Sequence, residues 1–563
     1  MTSRSTGLLA RVLPRAGAIA PAVLGLACVA AVVEALYQGT FATFGRDQGI
    51  FQYVGWALRH GARPYRDFHE INGPLPHLYH ALVQELGGED EHVFRTLDTL
   101  LTAGVYALAA PSVPRWVGLE LRRGDRLLWA LAGLGVFGAQ YVRYDWWHTS
   151  QREGLYAILV LASLALQGAA HEARDARRAL RLFALAGAAT ALPWFGKPPC
   201  VVFALLQGAV ALLDRANLPV KPLRALGAGV LGAAATSLVM VGFVVVVEDP
   251  ALGVRMLSKV PLLHHTIWNL SLLECYRAFG NAPRIDWALG ITALFVAAFF
   301  LLRLPRRALL ALVLPIGGFI VFASQGKGFP YHLHMATLGM AVMELAIAAA
   351  LARRAQLGSP AFGAAALVGA VLLGLQCRED AVMSPATMGN WATVGATKEL
   401  RASGAYFDHF EWGDFFARDL RDAADFVASR TRHDERVQTY GLDPYFLFLA
   451  RRHSASPVIY DFELNVDAAL KGGSGAMPSA ADRAALLAYR DDAEELVLAA
   501  VQASPPAAFV FFDRAPFSYP DDGEADFKAH CPKVAAWLED RYVPAARFGT
   551  VRVRMRLDAA RPR

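Results

Sequence analysis

Apolar stretches long enough to cross a bilayer recur along most of this chain, and arginines gather in alternate gaps between them. Hydrocarbon offers no hydrogen-bond partner, so each crossing segment must satisfy its own backbone, as a helix does. With ~20 residues needed per crossing, about eleven helices are placed near residues 18–38, 93–112, 127–143, 155–170, 181–195, 198–213, 225–247, 286–302, 308–323, 335–351 and 361–376. The composition agrees. Hydrophobic residues make up 55% and charged residues only 18%, with a mean hydropathy of +0.32, whereas soluble domains carry about 25% charged residues.

The basic residues set the orientation. Arg115, Arg122, Arg123 and Arg126, then Arg174, Arg177, Arg178 and Arg181, then Arg215, Lys221 and Arg224 all fall on one side of the expected spans. Arg303, Arg306 and Arg307, Arg353 and Arg354, and the N-terminal Arg4, Arg11 and Arg15 join them. By the positive-inside rule that side is cytoplasmic, and one missed span would have scattered these clusters to both sides. The formal charge of +6 is thereby explained without a nucleic-acid partner. The first span has a basic start and an apolar middle, but its small-residue cleavage site is poor and it leads directly into Asp47, so it is read as a retained anchor rather than a signal peptide.

Three long segments then lie outside: residues 39–92, residues 248–285, and everything after about residue 377. The tail changes character. Apolar runs such as Phe509-Val510-Phe511-Phe512 and Val551-Arg552-Val553-Arg554-Met555 read as strands, and residues 414–430 and 480–503 read as helices. Lys471-Gly472-Gly473-Ser474-Gly475 reads as a loop, and Tyr440-Gly441-Leu442-Asp443-Pro444-Tyr445 as a turn ending a strand. The fold class is therefore a polytopic α-helical membrane protein of about eleven spans, with a membrane module over 1–377 and an extracytoplasmic α/β domain over 378–563. Cys28 and Cys200 sit in spans, and Cys275, Cys377 and Cys531 outside, with no spacing that makes a disulfide framework. No phosphate-binding P-loop and no nucleophile elbow occurs, which argues against ATP-driven transport.

Charged residues at the outer boundary are the candidates for chemistry, because charge near lipid is costly unless it meets water or a partner. Asp47 opens the amphipathic segment containing Ile50, Phe51, Val54 and Leu58, where it would serve as N-cap. Glu153 opens the fourth span beside Arg152, which suits either the helix dipole or an ion pair. Lys197 lies between two spans, where it needs an anion or water, and Arg95 opens the second span, where it could snorkel. Lys327 stands between Gly326 and Gly328, which allow close approach of backbone, with Tyr331 and His332 following. Asp145 sits among aromatic residues of an interfacial belt. Of the histidines, His77 and His80 share a helix face and are expected to be solvated at the interface; no pair has metalloenzyme spacing.

The first loop resembles that of the glycosyltransferase C superfamily. It carries Asp47 at the end of the first span, Gly61 to Asp67 reading G-x-x-P-Y-x-D, and Asn72-Gly73-Pro74-Leu75. Three further segments fit: Ser150-Gln151-Arg152-Glu153-Gly154, Phe195-Gly196-Lys197-Pro198, and Gln325-Gly326-Lys327-Gly328-Phe329-Pro330-Tyr331-His332. The superfamily includes the protein O-mannosyltransferases and aminoarabinose transferases, polytopic enzymes that use polyprenyl-phosphate sugars.

The resemblance implies an inverting transfer of a monosaccharide to a lipid, glycan or protein acceptor on the outer face of the inner membrane. Asp47 is then the base, with Glu153 and Asp67 as the other catalytic acids. Lys197, Arg95, Lys327 and His332 would hold the phosphate, and Tyr65, Asp145 and Tyr331 would position donor or acceptor. A divalent cation, if used, would fall to Asp47 and Glu153; the loop departs from some relatives in carrying Asn72-Gly73-Pro74 where they have a lysine. The rival class is a secondary transporter or lipid flippase, which would place charge at mid-membrane and show two related halves; neither is legible here.

Overall fold

In the computed structural model residues 12–13, 17, 19–247, 249–385, 404–473 and 477–558 are described; Arg4, Arg11, Arg15, Ser474 and Gly475 lie outside them. Eight helical stretches among the described residues are long and apolar enough to cross a membrane: Ala20–Gly39, Glu91–Trp116, Arg152–His171, Pro222–Val247, Ala282–Leu301, Arg306–Gln325, Pro330–Gln356 and Pro360–Val382. The other three expected spans are helical too. Ala176–Ala191 and Val201–Leu213 have only 16 and 13 residues, and Arg123–Val142 opens on Arg123, Asp125 and Arg126. The helix Pro360–Val382 runs past the expected membrane boundary, so Cys377 lies inside it and is buried. All five cysteines are free thiols.

The chain forms two compact units, Met1–Ala42 with Arg95–Met240 and Ser271–Val394, and Thr43–Phe94 with Val241–Leu270 and Gly395–Arg563. The second holds a four-stranded sheet of β1 (Val437–Tyr440), β2 (Ala508–Phe512), β3 (Tyr542–Phe548) and β4 (Val551–Arg556), in the order β1-β2-β4-β3. The expected apolar runs are β2 and β4. β1 and β2 run parallel and the other pairs antiparallel. A parallel pair needs a crossover, and its main helix, Ala480–Ala503, starts at a capping box of Ser479 and Asp482. Phe509 and Phe511 alternate onto one face of β2, where they pack on Phe527, Val534 and Leu538. The helix expected over 414–430 begins at Ala417, because Glu411–Trp412 and Phe415–Phe416 pair as a small hairpin before it.

Also in this unit, the first-loop helices Arg46–Arg59 and Pro74–Gly87 pack closely at Gly55, where a Cβ would lie 2.8 Å from the Ala81 amide nitrogen. That approach carries His77 and His80 inward. Both are buried rather than solvated as expected. The His80 Nδ1 lies 2.8 Å from the Gln52 Oε1 and its ring stacks on Phe94 at 4.2 Å. Burial, with His77 alongside, pushes the His80 imidazole well below its ordinary range.

In the first unit, helices meet through small residues, the usual device where apolar side chains gain nothing by leaving lipid. A Cβ at Gly135 would strike the Cys28 sulfur, one at Gly138 would strike Val32, and one at Gly374 would strike Ala27. Polar side chains within these helices satisfy one another. Ser163, Thr190 and Gln207 form one hydrogen-bonded group, and the His171 Nδ1 and Asp214 carboxylate another at 2.9 Å. The tightest crossing joins Ala176–Ala191 to Pro222–Val247, where a Cβ at Gly187 would lie 2.0 Å from the Gly229 carbonyl oxygen. Gly187→Ala is expected to destabilise the detergent-solubilised protein by ~1–3 kcal/mol in thermal melts. Gly227→Ala, with nothing within 4 Å of its Cβ, should leave the melt unchanged or raise it slightly.

Candidate active site

In the first unit the site residues converge on Glu153. The chain enters the helix Arg152–His171 through Ser150, held at φ 54° in the left-handed region where a non-glycine residue is strained. Arg95 braces the loop before it: one guanidinium nitrogen donates to the Thr149 hydroxyl at 3.2 Å and another to the Trp146 carbonyl at 2.8 Å. Arg95 is buried and thus neither snorkels nor faces water. Asp145 organises the same loop, accepting from the Trp147 and His148 amides at 3.0 Å while its carboxylate meets the His148 Nδ1 at 2.7 Å.

Glu153 is fully buried. Its Oε1 accepts from the Lys197 ammonium and, at 3.1 Å, from the Arg152 Nε; the His332 Nε2 lies 3.7 Å away. Its Oε2 has no hydrogen-bond partner among the described residues. Lys197 reaches this carboxylate because Gly196 leaves room for the Tyr156 hydroxyl, which any Cβ there would strike. Lys327 sits between Gly326 at φ 57° and Gly328 at φ 69°, and the charges of Lys197, Lys327 and Arg152 all bear on His332. Tyr331 is buried, stacked on Phe329 at 5.6 Å and edge-on to His332 at 4.6 Å. Two cations, Lys197 and Arg152, thus meet one carboxylate, leaving the cluster positive and suited to an oxyanion.

The second unit holds the remaining candidates. Asp47 lies in the first turn of the helix Arg46–Arg59, but its N-cap is Gly45 and no side chain caps it, contrary to the expected capping role. The helix start is held instead by Arg46, whose Nε donates to Asp443 at 2.9 Å and whose Nη1 donates to Asp414 at 3.2 Å. The Asp47 carboxylate is half-buried and makes no hydrogen bond or ion pair among the described residues. Asp67 is different: it accepts from Arg66 at 2.7 Å and from the Arg63 amide at 2.8 Å. Burial alone would raise its carboxyl, but these two donors hold it below the usual range. Tyr65 takes φ 65° and is buried against Ile71 and Leu252.

Two acids escaped the sequence reading. Glu70 is fully buried, with Oε2 accepting from the Tyr460 hydroxyl at 2.7 Å and Oε1 from the Asn72 amide at 2.8 Å. Its position between Asp67 and Asn72, inside the motif-bearing loop, was the available signal. Asp461 is buried beside Asp443 and Asp526, and its carboxyl is pushed up to about 8 by burial, against the pull of Arg46; no local pattern announced it. Among the described residues no group of three or more His, Cys, Asp or Glu side chains is arranged to hold a metal ion.

Two stability predictions follow from these charges. Lys197→Met leaves Glu153 buried without its ammonium partner and should cost ~3–5 kcal/mol in melts, with the Glu153→Gln/Lys197→Met double variant closer to wild type. For Asp461 the folded-state value near 8 exceeds the unfolded value of about 3.9, so the folded state keeps a proton that the unfolded chain releases. Its stabilising contribution is complete below the unfolded value and is lost as pH rises through the folded one. Asp461→Asn should therefore melt above wild type at pH 9, with the difference shrinking toward pH 4.

No family model and no curated protein sequence matches this chain. Among solved structures it is similar to ArnT from Cupriavidus metallidurans, both in the apo state and bound to undecaprenyl phosphate. The identity is 13% and the TM-score 0.53, over 95% of this chain and 98% of that one. An oligosaccharyltransferase from Archaeoglobus fulgidus, tethered with an acceptor peptide, aligns at 11% identity and a TM-score of 0.45, over 92% of this chain and 72% of that one. This chain thus shares the fold of ArnT from Cupriavidus metallidurans.

Proposed function

We propose that this protein is an integral membrane glycosyltransferase that takes a monosaccharide from a polyprenyl-phosphate donor and places it on a lipid, glycan or protein acceptor. In this reading some eleven helices span the inner membrane, and the first loop, residues 248–285 and the domain over 378–563 are extracytoplasmic. The observation that carries the reading is the state of Asp47 in a chain with the fold of ArnT. Of the three candidate acids, Glu153 and Asp67 already have cationic partners, while the Asp47 carboxylate has none among the described residues and is half-buried.

A base must have a lone pair free to take the proton. Asp47 accepts the acceptor hydroxyl's proton as that oxygen bonds to the anomeric carbon and the carbon–oxygen bond to phosphate breaks, with the electron pair leaving on the polyprenyl phosphate. Attack opposite the leaving group inverts the anomeric centre. The phosphate's developing charge is matched by the fixed cations Lys197, Arg152 and Lys327, which stabilise it without reorganisation, with the His332 ring as a further hydrogen-bond partner. Arg95 and Asp145 hold the loop that presents Arg152 and Glu153, and Tyr65 and Tyr331 position the substrates.

Transfer from labelled polyprenyl-phosphate sugars should fall ~10²–10⁴-fold in membranes carrying Asp47→Asn at matched folded protein, the usual share of a general base. Asp67→Asn should keep most of the activity. Equal transfer by wild type and Asp47→Asn would remove Asp47 from the chemistry. No turnover of any polyprenyl-phosphate sugar by wild type would favour a transporter or lipid flippase.

A further inference from the structure

A second polar cavity lies wholly within the unit that holds the sheet. It has a volume of about 150 Å³, and its walls come from the first loop and from the segments at the start and after the end of β1. The floor is formed by Tyr53, Phe68 and Ser454, all buried, and the rim by the exposed His60, Arg66 and Arg436. Asp67 and His453 complete the wall.

Two of the lining residues, Tyr53 and Ser454, carry hydroxyls whose protons are not committed. The Ser454 Oγ is buried, in a residue only 1% exposed, and has no hydrogen-bond partner among the described residues. An unmade hydrogen bond at such a depth is costly, so the group is either a defect or one half of a contact. The Tyr53 oxygen accepts from the Ser454 amide at 3.0 Å, which leaves its own proton to point elsewhere, and burial keeps that phenol protonated. Above them Arg436 is pinned through one nitrogen to the Ser454 carbonyl at 3.1 Å. No carboxylate among the described residues lies within ion-pair distance of it. Its charge reaches Tyr53, Asp67 and His453. The cavity's one carboxylate, Asp67, is already neutralised by Arg66 and the Arg63 amide.

The balance selects the ligand class. Donors outnumber free acceptors and the fixed charge is positive. A neutral sugar would need acceptors for its hydroxyl protons, whereas an oxyanion needs what is there: two O–H donors below and a guanidinium above. His60 and His453 flank Trp56 with ring centroids 4.5 and 4.8 Å from it, so two further ring edges are held rigidly at the mouth. The volume admits one small group. We propose that this cavity is an oxyanion-binding site, separate from the transfer chemistry, that takes a phosphoryl or carboxylate group.

The test uses the full chain in detergent, melted at matched ionic strength with inorganic phosphate, with glucuronate, and with glucose as the neutral control. Phosphate, glucuronate or both should raise the melting temperature with saturation; which one does so tells a phosphoryl from a sugar-borne carboxylate. Ser454→Ala should melt normally without ligand and weaken the apparent affinity by roughly tenfold, the effect of one hydrogen bond to a charged group. Arg436→Gln, on the exposed rim, should abolish the shift and provides a second readout if Ser454→Ala fails to fold. The proposal is overturned if neither oxyanion shifts the melt, if glucose shifts it equally, or if Arg436→Gln responds as wild type does.

Discussion

Glu153 and Lys197 meet where neither side chain has access to much water, and the architecture around them follows from that fact. A carboxylate or ammonium removed from water alone is prohibitively costly, and only a close partner with further donors makes the pair tolerable. Hence Gly196, which makes room for the Tyr156 hydroxyl so that Lys197 can approach, and Arg152, which supplies a second donor at 3.1 Å. Arg95 is drawn into the same arrangement one step out, tied to Thr149 and the Trp146 carbonyl. The left-handed Ser150 is part of the same fit. Such strain persists only where surrounding contacts over-determine it.

The second unit handles charge in the opposite way. Arg46 gathers Asp443 and Asp414 at the start of a helix, Glu70 is closed off by Tyr460 and Asn72, and Asp461 stays protonated near neutrality for want of a cation of its own. Beside these engaged acids Asp47 stands uncommitted. That freedom, at a half-buried position, is the basis of the role proposed for it. The cavity beside β1 shows the complementary pattern, with Arg436 lacking a carboxylate and the Ser454 hydroxyl lacking an acceptor among the described residues.

Much of this was legible locally. The apolar stretches marked helices that the structure contains, including Ala176–Ala191 and Val201–Leu213, although these are short for a crossing. β2 and β4 stood out because aromatic and β-branched residues crowd into short runs. The small hairpin at 411–416 did not, since two-residue strands carry no periodicity. The histidines misled for a different reason. His77 and His80 look polar in sequence, and only the close packing at Gly55 turns them into the core. Asp47 looked like a cap because Asp favours that position, yet Gly45, two residues earlier, takes it.

The sequence by itself determined the helical class, the alternation of basic gaps, the α/β character of the tail and the segments in which chemistry could reside. These depend on the transfer cost of apolar and charged groups and on repeats of two or 3.6 residues, all of them local quantities. Which charge meets which was decided only by the tertiary structure. Asp443 lies far along the chain from Arg46, Tyr460 from Glu70, and Ser454 from Tyr53. A side chain's partner is set by distances of a few ångströms in space, and separation along the chain says nothing about them. For that reason the sequence could nominate acids and cations, while their burial and pairing, and the freedom of Asp47, came from the fold.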